Sequence, residues 1–129
     1  METKSTLELP AAATRYAEAA DFVTKDGSVI RELLHPQLHP VRSMSFAEAI
    51  VEPGETTRLH AHRASEEIYH ITQGSGLMRL GDQRFAVAPG DSVVIAPGTA
   101  HCITATGTAR LHLLCACHPP YSHDDTDLL

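Results

Sequence analysis

From Phe22 onward the chain is a succession of short β-prone segments separated by glycine and proline turns, and that pattern removes most fold classes at once. Segments at 57–62, 67–72, 76–81, 84–87, 92–95, 101–105 and 109–117 are punctuated by Gly54, Gly74, Gly81-Asp82, Pro89-Gly90 and Pro97-Gly98. Helix-length periodicity is missing from all of them. Many short strands without crossover helices predict an antiparallel all-β sandwich or barrel, the jelly roll among them. Upstream, the turn signal Lys25-Asp26-Gly27-Ser28 between 23–24 and 29–34 predicts short strands, and His35-Pro36 and His39-Pro40 mark irregular chain. Residues 44–51 are small or apolar on both faces, which suits a strand inside a closed or layered sheet. The first twenty residues, rich in alanine and small polar side chains, predict a loose arm or a short helix around 11–20. The expected division is an arm or short helix over 1–21 and a barrel domain over 22–129.

Two histidines one residue apart sit inside this pattern, at His60 and His62. Alternate residues of a strand share a face at roughly 6.6 Å separation, so both rings can turn a nitrogen toward one ion. A first-row divalent metal takes such nitrogens at about 2.1 Å. If the chain turns between Arg63 and Ser65, Glu66 or Glu67 brings a carboxylate back to the same point. A fourth ligand has to come from elsewhere, and His101, between the turn-rich 96–99 and the β-prone 102–104, is the best candidate.

These residues resemble the signature of a known family. Gly54, five residues, His60, one residue, His62, four residues, Glu67, six residues, Gly74 is similar to the first motif of the cupins, and this counting selects Glu67 over Glu66. Gly90, Gly98 and His101 stand at the spacings of the second motif. Ala96 takes the place of a usual proline and Ala105 that of a usual asparagine, neither of which is a metal ligand in the family. Fifteen residues separate Gly74 from Gly90, a spacing similar to that of compact single-domain cupins. The tail from Cys115 to Thr126 looks like the ends of small bacterial cupins. The resemblance implies a double-stranded β-helix, a jelly-roll barrel, holding one divalent transition metal on His60, His62, Glu67 and His101. It also implies a homodimer.

Composition narrows the partners. At 129 residues the chain has room for one ordinary domain with its own core. A net charge of −6 leaves no basic footprint for nucleic acid or an anionic membrane surface. Neither a signal-length apolar run nor a stretch of membrane-spanning length occurs, and the reading is cytoplasmic. Three cysteines are an odd number, as expected of reduced thiols. Cys115 and Cys117 share a strand face but are badly placed for a mutual disulfide, so they read as small buried residues rather than a redox pair. Cys102 follows His101 and should point away from the ion.

Two further residues are candidates for catalysis. Alternation puts Tyr69 on the face of Glu67, where a nearby cation can lower its pKa for use as a base or let it hold an oxyanion; a plainly buried tyrosine is the alternative. The same argument sends Arg58 inward with His60 and His62 to fork a substrate carboxylate, the alternative being an arginine that snorkels to water. His35, His39, His70, His112, His118 and His123 lack ligand spacing, Glu66 reads as solvent-facing, and Asp124, Asp125 and Asp127 as a solvated terminus. The four-ligand set suits Fe, Mn, Ni, Zn or Cu without choosing among them. Neutral imidazoles are needed, so affinity should fall as pH drops below about 6. The function expected is a small metalloenzyme of dioxygenase, lyase or isomerase type acting on a small polar organic substrate; the second reading is a non-catalytic small-molecule binder or sensor.

Overall fold

The computed structural model describes residues 8–129, so the first seven residues of the expected arm lie outside it. The strands are β1 (Asp21–Val23), β2 (Val29–Leu34), β3 (Ser45–Val51), β4 (His60–His62), β5 (Glu66–Gln73), β6 (Gly76–Leu80), β7 (Gln83–Val87), β8 (Ser92–Ile95), β9 (His101–Ala105), β10 (Leu111–His118) and β11 (Thr126–Leu128). They form two antiparallel sheets, ordered β1-β2-β3-β10-β5-β8 and β11-β4-β9-β6-β7, which pack as a jelly-roll barrel. Period-two alternation drives the packing. On β5, Glu67, Tyr69 and Ile71 are buried while Glu66 and Ile68 are exposed, and on β10 the inward set is Leu111, Leu113, Cys115 and Cys117. These meet Met78, Val87 and Ile103 from the other sheet in one apolar core. Tyr69 and Cys115 of that core also border the cavity where the inward polar residues His60, His62 and Glu67 collect. No helix among the described residues is long and apolar enough to cross a membrane.

Among the described residues, the arm is helical only in a 3-10 turn at Tyr16–Glu18. It lies on the outer face of the six-stranded sheet, where the Tyr16 hydroxyl donates to Glu48 Oε1 and the Arg31 guanidinium stacks 4.4 Å above the Tyr16 ring. Glu48 also faces His112 Nδ1 at 3.3 Å, which accounts for that histidine as a sheet-surface partner.

Two segments differ from the sequence expectation. The strand expected over 57–62 begins only at His60, because the preceding chain follows β9 through a lone bridge, Thr56 to Thr104, and a bond from Thr57 N to Ile103 O. The acidic tail is not simply solvated. β11 pairs with β4, placing Thr126 opposite His62 and Leu128 opposite His60, while Asp125 accepts the backbone N–H groups of Ala64 and Ser65. Arg63 reaches Asp127 at 2.5 Å. The tail thus covers the edge that the two histidines would otherwise leave open.

Gly74 closes the β5–β6 turn at φ +79, and a Cβ built there would stand 2.5 Å from the Arg110 carbonyl oxygen. Left-handed backbone and a main-chain clash act together, so Gly74→Ala should lower the unfolding free energy by about 2 kcal/mol or more in urea titrations. A change below about 0.5 kcal/mol would show that the turn relaxes freely.

Candidate metal centre

β4 presents His60 and His62 to the interior, and β9 sets His101 directly opposite His60 in the same sheet. Glu67 crosses from the other sheet, delivered by the short turn through Arg63 and Ser65. The three imidazoles are buried, with ligand nitrogens that all lie within 4.8 Å of one another. Glu67 Oε1 stands 3.2 Å from His62 Nε2 and 3.4 Å from His101 Nε2.

Hydrogen bonding fixes which nitrogen of each ring carries the proton. His60 Nδ1 lies 2.8 Å from the Arg58 carbonyl oxygen and His101 Nδ1 2.9 Å from that of Thr99, so both Nδ1 atoms donate. His62 Nδ1 lies 3.0 Å from Thr126 Oγ1, whose own proton goes to the Ser122 carbonyl at 2.8 Å, so Thr126 accepts here. Three Nε2 lone pairs therefore face one another and a carboxylate oxygen. Glu67 Oε1 and His101 Nε2 are buried with no hydrogen-bond partner, the state that a shared cation would relieve. Three imidazoles and one carboxylate are a donor set that fits a divalent transition metal.

The electrostatics agree with the geometry. Burial alone would raise the Glu67 carboxyl, but His101 and His62 overcome it and hold the group at about 2. Burial and the nearby His101 push His60 down, which keeps the ring neutral and able to ligate. For His62, burial pushes down while the Glu67 carboxylate pulls up and prevails.

A narrow cavity of about 40 Å³ opens beside His60, His62 and Glu67, room for roughly three water molecules. Tyr69 lines it, with its ring 5.9 Å from that of His101. Burial, then the charge of Glu67, raises the Tyr69 pKa well above its ordinary value. Arg58 is exposed and does not line the cavity, which matches the alternative of an arginine directed to water. Inward alternation cannot reach it because the strand starts two residues later, and its contribution is made by its main chain, through the carbonyl that holds His60 and an N–H to the Asp26 carbonyl.

The sequence did not point to several groups around the centre. Cys117 donates its thiol to Glu67 Oε2 at 3.3 Å, and Cys115 and Cys117 both line the cavity as free, buried thiols. Cys102 lies outside that lining, as expected. Asp26 Oδ2 comes within 3.7 Å of His60 Nε2. His70 points outward to Ser92, and His118 to the Ser43 carbonyl. Thr126 is the most consequential omission, because it sets the tautomer of a ligand candidate. Thr126→Val keeps the side-chain shape and removes the acceptor, so metal affinity should fall about tenfold in chelator competition. A change within about twofold would mean that the His62 ring is oriented by packing alone.

A model of the cupin domain family matches residues 47–117, from β3 through β10. The chain is a cupin. An uncharacterised protein of Methanocaldococcus jannaschii is 49% identical to this cupin over 116 residues, 90% of this chain and 93% of the relative. A predicted oxalate decarboxylase of Thermotoga maritima superposes with a TM-score of 0.72 at 24% identity, over 83% of this cupin and 98% of that chain. Pac13 of Streptomyces, a nucleoside dehydratase, superposes with a TM-score of 0.73 at 15% identity, over 89% and 88% of the two chains. At those identities the likeness speaks for the fold.

Proposed function

We propose that this cupin is a small metal-dependent enzyme acting on a compact polar organic molecule, with His60, His62, His101 and Glu67 as the metal ligands. The observation that carries the reading is the convergence of three Nε2 lone pairs and an orphaned carboxylate oxygen beside an open cavity. A divalent Fe, Mn, Ni, Zn or Cu ion held there supplies Lewis acidity, and redox capacity where it is iron or copper. The rest is the work of the chain. The Nδ1–H bonds to Arg58, Thr99 and Thr126 stop the rings from turning, and the Cys117 thiol occupies Glu67 Oε2 so that Oε1 alone faces the ligand nitrogens. Tyr69, protonated at neutral pH, donates a hydrogen bond or a proton to a substrate oxygen. The narrow cavity leaves little bulk water around the reacting groups.

Among dioxygenase, lyase and isomerase chemistry, proton transfer of the lyase or isomerase kind is favoured, because Tyr69, Asp26 and Glu32 put proton-handling groups on the cavity wall. The test is product formation by metal-loaded and chelator-treated protein across a panel of small hydroxy and carbonyl compounds, followed by NMR with an oxygen electrode in parallel. Metal-dependent product without oxygen uptake is the expected result. Oxygen-coupled turnover would instead make the protein a dioxygenase, and tight binding without any product would make it a sensor.

We infer a cytoplasmic homodimer as the working form. Ile68 and Val94, cross-strand partners 48% and 60% exposed, give the six-stranded sheet an apolar outer patch that a second copy would cover. Sedimentation equilibrium at twice the chain mass is the expected result.

A further inference from the structure

Three carboxylates line the cavity, and only Glu67 belongs to the ligand set. Asp26 sits in the turn between β1 and β2, where its Oδ1 receives Thr24 Oγ1 at 2.6 Å, Ser28 Oγ at 2.7 Å and Ser28 N at 2.9 Å. With Oδ1 saturated, the orientation is fixed and Oδ2 is left on the side of His60. Glu32 points inward from β2, is 8% exposed, and has an Oε1 that is buried with no hydrogen-bond partner. Burial raises its pKa, although His35 works against this. A buried carboxyl oxygen without a donor is costly, and none of the described residues supplies one.

Glu32 also borders the grooves beside the arm and beside the segment from Tyr121 to Asp124, so it stands between the outside and the histidines. Among the described residues, the cavity lining contains no lysine or arginine. A divalent ion would therefore formally leave the three carboxylates one charge in excess. An anion reaching the ion would meet Asp26 and Glu32 inside the cavity, where no lysine or arginine among the described residues lines the wall, Arg15 lining only the outer groove beside the arm. A small molecule rich in hydroxyl or amino groups would supply the donors that Asp26 Oδ2 and Glu32 Oε1 lack.

We propose that the cavity takes a small amino alcohol or polyol in preference to a carboxylate or phosphate, with Glu32 and Asp26 receiving its hydroxyl and amino protons. This rests on the metal-centre reading above. It assigns Glu32 and Asp26 as specificity determinants in the cavity that they line together with Glu67.

The test uses the full chain loaded with cobalt(II), whose visible spectrum reports the surroundings of the ion, titrated with ethanolamine and separately with oxalate. Ethanolamine should perturb the wild-type spectrum at lower concentration than oxalate. Glu32→Gln and Asp26→Asn should each weaken the ethanolamine response about tenfold and strengthen that to oxalate. A wild type that prefers oxalate, fails to respond to ethanolamine, or keeps the same ranking in both variants would overturn the proposal. Loss of cobalt from Asp26→Asn would make Asp26 a ligand and overturn its role here. Cobalt stoichiometry is read before any probe is added: equal uptake by wild type and His101→Ala would sink the metal centre itself, whereas normal uptake with the wrong ranking sinks only the substrate class.

Discussion

His101→Ala should strip the protein of its metal under a chelator challenge that the wild type survives. The ring is fully buried, its Nδ1–H is committed to Thr99, and its Nε2 has no hydrogen-bond partner. Removing it takes away one of the three imidazole donors, and the strand partner opposite it is His60, itself in the set. The loss in affinity should exceed about 100-fold, the upper range for removing a mere outer-sphere partner. Metal retained after dialysis against chelators of graded strength measures it. His70→Ala is the control: that histidine faces outward to Ser92 and should retain metal as the wild type does. Folding need not suffer in the metal-free state, because the substitution also removes a buried nitrogen with no partner. The two proteins should therefore differ far more in thermal stability with metal than without it.

Ile71→Ala should cost about 2–5 kcal/mol of unfolding free energy. Ile71 has no exposed surface, lies on β5 between β10 and β8, and packs in the main apolar cluster of the barrel. Its main chain is tied at both ends to the turn before β8, through Asp91 O and Gly90 N, so the backbone is poorly placed to collapse into the space left behind. Denaturant unfolding at fixed metal content measures the loss. A cost under about 1 kcal/mol would mean that the core repacks around the gap.

The ligand candidates were legible because each depends on a local rule. One-residue spacing puts His60 and His62 on one strand face, and a short turn brings Glu67 back, whatever the rest of the chain does. His101 needed only a turn followed by a strand start. The residues around them depend on long-range register instead. Nothing about Thr126 as a residue type links it to His62, and the link exists only because β11 pairs with β4 across more than sixty residues of chain. Asp26 was legible as a turn aspartate and does serve the turn, through Oδ1; the direction of Oδ2 is a product of folding. Arg58 shows the opposite error. Alternation was extended two residues past the true start of the strand, into chain held by a lone bridge, and the side chain emerges on the solvent side. The acidic tail misled for a related reason, since Asp125 and Asp127 are polar enough for water yet spend their oxygens on Ala64, Ser65 and Arg63.

X-ray absorption at the metal edge of the loaded protein tests the centre most directly. A first shell of nitrogen and oxygen near about 2.1 Å, with the outer-shell scattering of three imidazoles, is the expected spectrum. Fewer imidazoles, or sulfur at about 2.3 Å from Cys115 or Cys117, would contradict it.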